Sequence, residues 1–207
     1  MTNANRLIVF VKAPRPGTVK TRLAEAIGAV AAAEAYRRLV EELLQNLRPL
    51  PEVELCYSPD SAGTEIVPWL REGWRCSKQG AGDLGQRLLA AFERAFAGGA
   101  KQVVVIGSDC PAVTTEDIGN AWRSLSSHDV VLGPAADGGY WLMGLREPHP
   151  EPFNNIPWST PDVLSVTLKR IRRAELNVQL LRELYDVDTE RDWREFLARR
   201  DGNGING

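Results

Sequence analysis

The chain has few of the side chains that mark metal or redox chemistry: two histidines and three cysteines in 207 residues. Cys56, Cys76 and Cys110 lie far apart, with no Cys-x-x-Cys pair and no histidine cluster to complete a zinc set. A reduced, cytoplasmic protein is the expectation. No apolar run approaches the roughly 18 residues of a membrane span. The opening "LIVFV" ends at Lys12, too short for the apolar core of a secretory signal. A formal net charge of -2 gives no global attraction for nucleic acid or acidic membranes. One local absence stands out. No carboxylate precedes Glu25, whereas Arg6, Lys12, Arg15, Lys20 and Arg22 all fall in that stretch. Cationic character is concentrated near the amino end.

The remaining composition is that of an ordinary globular protein, with 43% apolar and 25% charged residues. The length suits one sizeable domain, expected over 1–200, with the Gly/Asn-rich 201–207 as a flexible tail. Strand-length apolar runs alternate with helix-period segments. "RLIVFVK", "VELCYS", a short strand near "WRCSK", and "QVVVIG" read as strands, the last continuously apolar as a buried parallel strand should be. "DVVLGPA" and "GGYWLMGL" follow close together, and "NVQLL" comes late. Tyr36, Leu39, Val40, Leu43 and Leu47 mark one face of a long helix after Gly28. Leu84, Leu88, Ala91, Phe92 and Phe96 stripe another, with Asp83 and Gln86 as its N-cap pair. Thr114 with Asp117, and Thr189 with Asp192, fit capping boxes. Thr160 is expected to cap a helix opened by Pro161. A weak helix interrupted by Pro68 and a last helix containing Trp193, Phe196 and Leu197 complete the order. This alternation predicts a single α/β domain with a mostly parallel, locally mixed sheet.

In such sheets ligands gather at the carboxyl ends of the strands, which directs attention to four corners. In "KAPRPGTVKTR", Gly17, Lys20 and Arg22 sit where a strand gives way to a helix, a setting suited to polyphosphate. It is not a Walker A loop, because Val19 and Pro14 occupy the positions where that motif needs glycine. The alternative is a solvated basic loop, and Lys12 and Arg15 are more easily read that way. In "GSDCP", Asp109 emerges past an apolar strand, as an oxygen ligand for magnesium or manganese or as a turn residue. In "GPAADGGYW", Asp137, Gly138, Gly139 and Tyr140 offer close ligand approach or a plain hairpin. In "YDVDTERD", Thr189 accounts for Asp192, leaving Asp188 as the best second metal ligand, with Asp186 behind it. Around "QGAGDLGQR", Arg87 stands one turn into a helix, within reach of a phosphate or base.

Taken together, "FVKAPRPGTVKTRLA", "GDLGQRL", "GSDCPAVT", "GPAADGGYWLMGL", "IPWST" and "DVDTERDW" resemble the bacterial transferases of the nucleotide-diphospho-sugar transferase superfamily. These are similar to 2-phospho-L-lactate guanylyltransferase and to GT-A glycosyltransferases. The resemblance runs from about Arg6 to Phe196. It implies a Rossmann-like GT-A fold, with helices on both faces of a mostly parallel sheet that has one reversed strand. It also implies a nucleotide cradled by Lys12, Ala13, Pro14 and Gly17, with Lys20 and Arg22 as cations and Gln79, Gly80 and Arg87 as candidate base contacts. By the same resemblance Asp109 and Asp188 hold Mg2+ or Mn2+, and Tyr140 and Trp158 border an acceptor pocket beside Asp137, Gly138 and Gly139.

The chain departs from the wider superfamily in two respects, one being "PRPGTVKTR" in place of the "GxGxR" opening of sugar-phosphate nucleotidyltransferases. It also carries "SDC" where many glycosyltransferases carry Asp-x-Asp, which favours nucleotidyl transfer from a nucleoside triphosphate to a small phosphorylated or hydroxylated acceptor. Lys20, Arg22 and Asp109 would carry the catalysis. A glycosyltransferase using a sugar nucleotide and a non-catalytic nucleotide-binding module are the alternatives.

Overall fold

The computed structural model describes residues 5–203. Its strands are β1 (Asn5–Lys12), β2 (Val53–Ser58), β3 (Arg75–Lys78), β4 (Gln102–Gly107), β5 (Val130–Pro134), β6 (Tyr140–Leu145) and β7 (Val178–Leu180). They form one sheet in the order β3-β2-β1-β4-β6-β5-β7. All neighbours are parallel except β6, which runs antiparallel between β4 and β5. The mixed character follows from the short 135–139 connection, since a tight hairpin joins only antiparallel strands.

Seven α-helices accompany the strands in the described residues: α1 (Thr21–Ile27), α2 (Ala29–Asn46), α3 (Gly63–Ile66), α4 (Leu84–Ala97), α5 (Thr115–Ser124), α6 (Val163–Arg173) and α7 (Glu190–Asn203). Strand alternation divides the interior into two cores. Leu7, Val9, Val11, Val104 and Ile106 face α2 and α5, through Tyr36, Val40, Leu43, Ile118 and Leu125. Ile8, Phe10, Val103 and Val105 face α4 and α6, through Leu88, Phe92 and Ile171. Helices therefore cover both faces, and the central strands β1 and β4 are buried on both, as their continuous apolar sequences require. Phe196 of α7 packs with Leu39 and Val187, while Trp193 also touches the Leu23–Ala32–Ala35 cluster of α1 and α2. No helix among the described residues is long and apolar enough to cross a membrane.

Two boundaries differ from expectation. The helix expected to open at Pro161 begins at Val163, with Asp162 rather than Thr160 at its N-cap position. The carbonyl of Gly138 accepts from Leu164 N at 2.9 Å, and Thr160 Oγ1 donates to Pro157 O at 2.8 Å. Thr160 also accepts from Asp162 N through Oγ1 and from Val163 N through its carbonyl, so it and the distant Gly138 share the first N–H groups of the helix. At the other end, α7 continues through Asn203, so 201–203 are helical where a tail was expected; 204–207 lie outside the described residues.

Candidate active site

Strand order reverses across the β1–β4 boundary. From β1 the chain passes through α2 to β2 on one side, and from β4 through α5 to β5 on the other. The connections leaving these two carboxyl ends diverge, the arrangement at which open α/β sheets bind ligands. Residues 13–20 follow β1 and Asp109 follows β4. The segment 184–188, which follows β7, is tied to both neighbours: Val187 N donates to Asp109 O at 3.1 Å and Ala136 N to Leu184 O at 3.0 Å.

The first loop is held by its own backbone. Ala13 N donates to Ser58 O, Arg15 N to Ala13 O and Thr18 N to Arg15 O. Gly17 takes φ 80°, the left-handed region that glycine tolerates. Lys20 is left-handed too, at φ 49° and ψ 48°, immediately before α1. This is uncommon for a residue with a side chain and costs on the order of 1 kcal/mol or more. It turns the Lys20 stem inward. The ammonium Nζ donates to Asp109 Oδ1 and, at 2.9 Å, to Asp188 Oδ1. The Lys20 side chain is 2% exposed, against 49% for Asp109 and 39% for Asp188. Burial alone would lower the Lys20 pKa, but the charges and hydrogen bonds of the two carboxylates outweigh it and hold the ammonium above its ordinary value.

A buried polar network underlies this trio. The Tyr36 hydroxyl accepts from Lys12 N at 2.8 Å and shares a 2.9 Å hydrogen bond with Ser108 Oγ, joining the ends of β1 and β4. Burial and, secondarily, the Asp109 charge push the Tyr36 pKa up to about 12. The Cys110 thiol donates to Asp186 Oδ1. Burial raises the Asp186 pKa to about 6 against that hydrogen bond, aided by the charges of Asp109, Asp137 and Asp188. Sequence periodicity had placed Tyr36 only on the apolar face of a helix. Its polar end carried no signal of its own.

The remaining predicted residues are distributed around this centre. Lys12 and Arg22 are exposed, and Arg15 is bound by Glu65, with Nη2 to Oε1 at 2.6 Å. Gln79 is buried. Its amide nitrogen donates to Val11 O and Cys56 O, and its oxygen accepts from Arg87 Nη1 at 2.7 Å. Gln79 thus links the ends of β1 and β2 to the Arg87 guanidinium. Gly80, with φ 84°, remains exposed beside Asp60. Tyr140 also faces inward: its hydroxyl is buried without a hydrogen-bond partner and its ring meets Trp158 edge-on, with centroids 6.4 Å apart. Trp158 in turn lies against Gly85, where an added Cβ would fall 2.8 Å from the indole. Asp137 is exposed and accepts from Gly139 N at 2.8 Å. Gly138, at φ 90°, approaches Pro161 O so closely that an added Cβ would lie 2.1 Å away.

Asp109 and Asp188 are hard oxygen donors that converge on one cation in the structure, which fits Mg2+ or Mn2+ chemistry. A second constellation does not belong to this centre. Asp129, Glu147 and His149 place ligand atoms within 4.8 Å of one another. They lie before β5 and after β6, at the opposite end of the sheet, and Asp129 is already engaged by Arg146 and by Asn177 N. An open groove of about 530 Å³ beside Phe96, Lys101 and Arg146 lies at that end too.

A family model described as "Uncharacterized protein conserved in bacteria (DUF2064)" matches residues 43–160. A crystal structure from Desulfovibrio desulfuricans G20, provisionally assigned as a nucleotide-diphospho-sugar transferase, is 37% identical with a TM-score of 0.89, covering 99% of this chain and 90% of that one. The phosphoenolpyruvate guanylyltransferase of Chloroflexus aggregans is 27% identical over 192 residues, which is 86% of this chain and 91% of the relative. Rv0371c of Mycobacterium tuberculosis H37Rv, solved as a complex with manganese, shares the fold with a TM-score of 0.54 at 15% identity, covering 94% of this chain and 98% of that one.

Proposed function

This chain belongs to the bacterial family DUF2064, within the nucleotide-diphospho-sugar transferase superfamily, and from that premise we propose that it is a metal-dependent nucleotidyltransferase. Its donor is a nucleoside triphosphate and its acceptor a small phosphorylated or hydroxylated molecule. The observation that carries this reading is the meeting of Lys20, Asp109 and Asp188 at the β1–β4 boundary. The guanylyltransferase relative supports nucleotidyl transfer and makes GTP the first donor to test. The manganese complex of a protein with this fold accords with a divalent metal.

In the proposed reaction an acceptor oxygen attacks the α-phosphorus in line, a hydroxyl acceptor releasing its proton to solvent. The new P–O bond forms as the bond to the β-phosphate oxygen breaks, and pyrophosphate departs with that electron pair. Asp109 and Asp188 would hold the metal, which when bound supplies charge neutralisation at the α-phosphate. Lys20, already beside those carboxylates, and exposed Arg22 would meet the charge growing on the leaving pyrophosphate. The half-buried Trp158 and the 137–139 loop would border the acceptor.

The test is pyrophosphate release from GTP and other triphosphates across a panel of phosphorylated and hydroxylated acceptors with Mg2+. Lys20→Ala and Asp109→Ala are expected to keep the wild-type circular dichroism spectrum and to lose roughly 10²- to 10³-fold in turnover, as when one transition-state donor is removed. Wild-type rates in either variant remove that residue from the mechanism. The likeness to the D. desulfuricans protein favours one rival, transfer of a sugar from a sugar nucleotide. Release of a nucleoside diphosphate instead of pyrophosphate would establish that rival.

A further inference from the structure

Resting on the nucleotidyltransferase reading, we propose that Lys20 is the resident cation of the metal site in the free protein, so that a divalent metal binds well only once a triphosphate has drawn the ammonium away. The Lys20 ammonium donates to one oxygen of each carboxylate that would hold the metal. It approaches them from the protein side, with its side chain 2% exposed while theirs are 49% and 39% exposed. Water therefore competes poorly for the ammonium, while the outer edges of both carboxylates stay open. A divalent ion sharing those oxygens would sit at contact distance from a fixed positive charge. That repulsion and the loss of two charge-assisted hydrogen bonds both weaken metal binding while Lys20 remains in place.

The backbone explains why the ammonium stays there. Lys20 is held left-handed at the start of α1, and its carbonyl accepts from Ala24 N at 2.8 Å, so Cα is fixed and only the flexible stem can move. Removing the ammonium without a replacement would leave Asp109 and Asp188 facing each other, with Asp186 and Asp137 near enough for their charges to act on the same cluster. A triphosphate changes the balance. It offers the ammonium a more highly charged partner and frees the carboxylates for the metal it brings. Binding of metal and nucleotide is then mutually favourable, each strengthening the other by the same factor.

Mn2+ binding in the absence of nucleotide, read from the electron paramagnetic resonance signal of the free ion, tests this without reference to turnover. The wild type is compared with Lys20→Met, and with Lys20→Met carrying Asp109→Asn to confirm the site. Thermal melts report folding, and Lys20→Gln replaces the methionine variant if that one does not fold. The expected result is Mn2+ held roughly 5- to 150-fold more tightly by the Lys20 variant than by the wild type, the usual range of such coupling, with the gain abolished by Asp109→Asn. Equal Mn2+ affinity in wild type and variant overturns the proposal, as does a gain that survives Asp109→Asn. Calorimetric titration of the wild type with a non-hydrolysable GTP analogue plus Mn2+ separates the two ideas. Absence of nucleotide binding counts against the transferase reading, whereas nucleotide binding with no difference in Mn2+ affinity counts against the Lys20 exchange alone.

Discussion

Tyr36 shows how one side chain serves both packing and the site. Its ring is buried in the core between α2 and the sheet, while its hydroxyl joins Lys12 N to Ser108 Oγ at the ends of β1 and β4. Tyr36→Phe keeps the ring and removes that junction, leaving a backbone N–H and a serine hydroxyl without their partner. The expected cost is about 1–3 kcal/mol, the desolvation penalty of buried groups left unsatisfied, read as a lower urea midpoint. An unchanged midpoint would show that water replaces the hydroxyl. The residue scale is also where sequence reading reaches least far. That Lys20, Asp109 and Asp188 come near one another was legible because each lies on a connection leaving the carboxyl end of a strand, where the loops of such a sheet gather. Tyr36 and Gln79 were not, because an apolar periodicity or a loop position does not say where a polar tip will end.

At the scale of elements, the helix starts were legible wherever the cap is local. Asp83 with Gln86, Thr114 with Asp117, and Thr189 with Asp192 all form the reciprocal hydrogen bonds their spacing implies. The start of α6 was legible only in part, because Thr160 shares its first N–H groups with Gly138, which only the tertiary fold brings near. Asp117 adds a long-range partner to its cap. Its carboxylate accepts from Arg182 Nε at 2.6 Å and Nη2 at 2.7 Å, fastening α5 to the segment after β7. Burial by itself would raise the Asp117 pKa, but Arg182 and Thr114 outweigh it and hold it below the ordinary value. A carboxylate depressed in the folded state contributes stability above its unfolded pKa and loses it as pH falls through the folded one. Asp117→Asn is therefore expected to lower stability at pH 7 by about 1–3 kcal/mol. The gap to wild type should narrow as pH falls through the lowered pKa of the native carboxylate, below the ordinary aspartate range. Urea titrations at pH 7 and pH 3 check this, and a gap of the same size at both contradicts it.

At the scale of the whole molecule, the site joins segments 89 and 168 positions apart in the chain, all arriving at carboxyl ends of one sheet. Alternation of strand and helix patterns made that convergence legible, since parallel strands deliver their loops to a common edge. The strand order and the reversal of β6 rest on non-local pairings, of which only the short connection at 135–139 left a trace in the sequence. A centre built this way ties its ligand to the stability of the entire domain, because unfolding any of the three segments dismantles it. Ligand at a hundredfold excess over its dissociation constant should add about 2.7 kcal/mol, which for a domain of this size raises Tm by roughly 5–10 °C. GTP or another accepted triphosphate together with Mg2+ should produce that shift. Mg2+ alone should give little of it, because the Lys20 ammonium already balances Asp109 and Asp188 in the free protein. A full shift with Mg2+ alone, measured by differential scanning fluorimetry, would mean that the carboxylates accept the metal with the ammonium still in place.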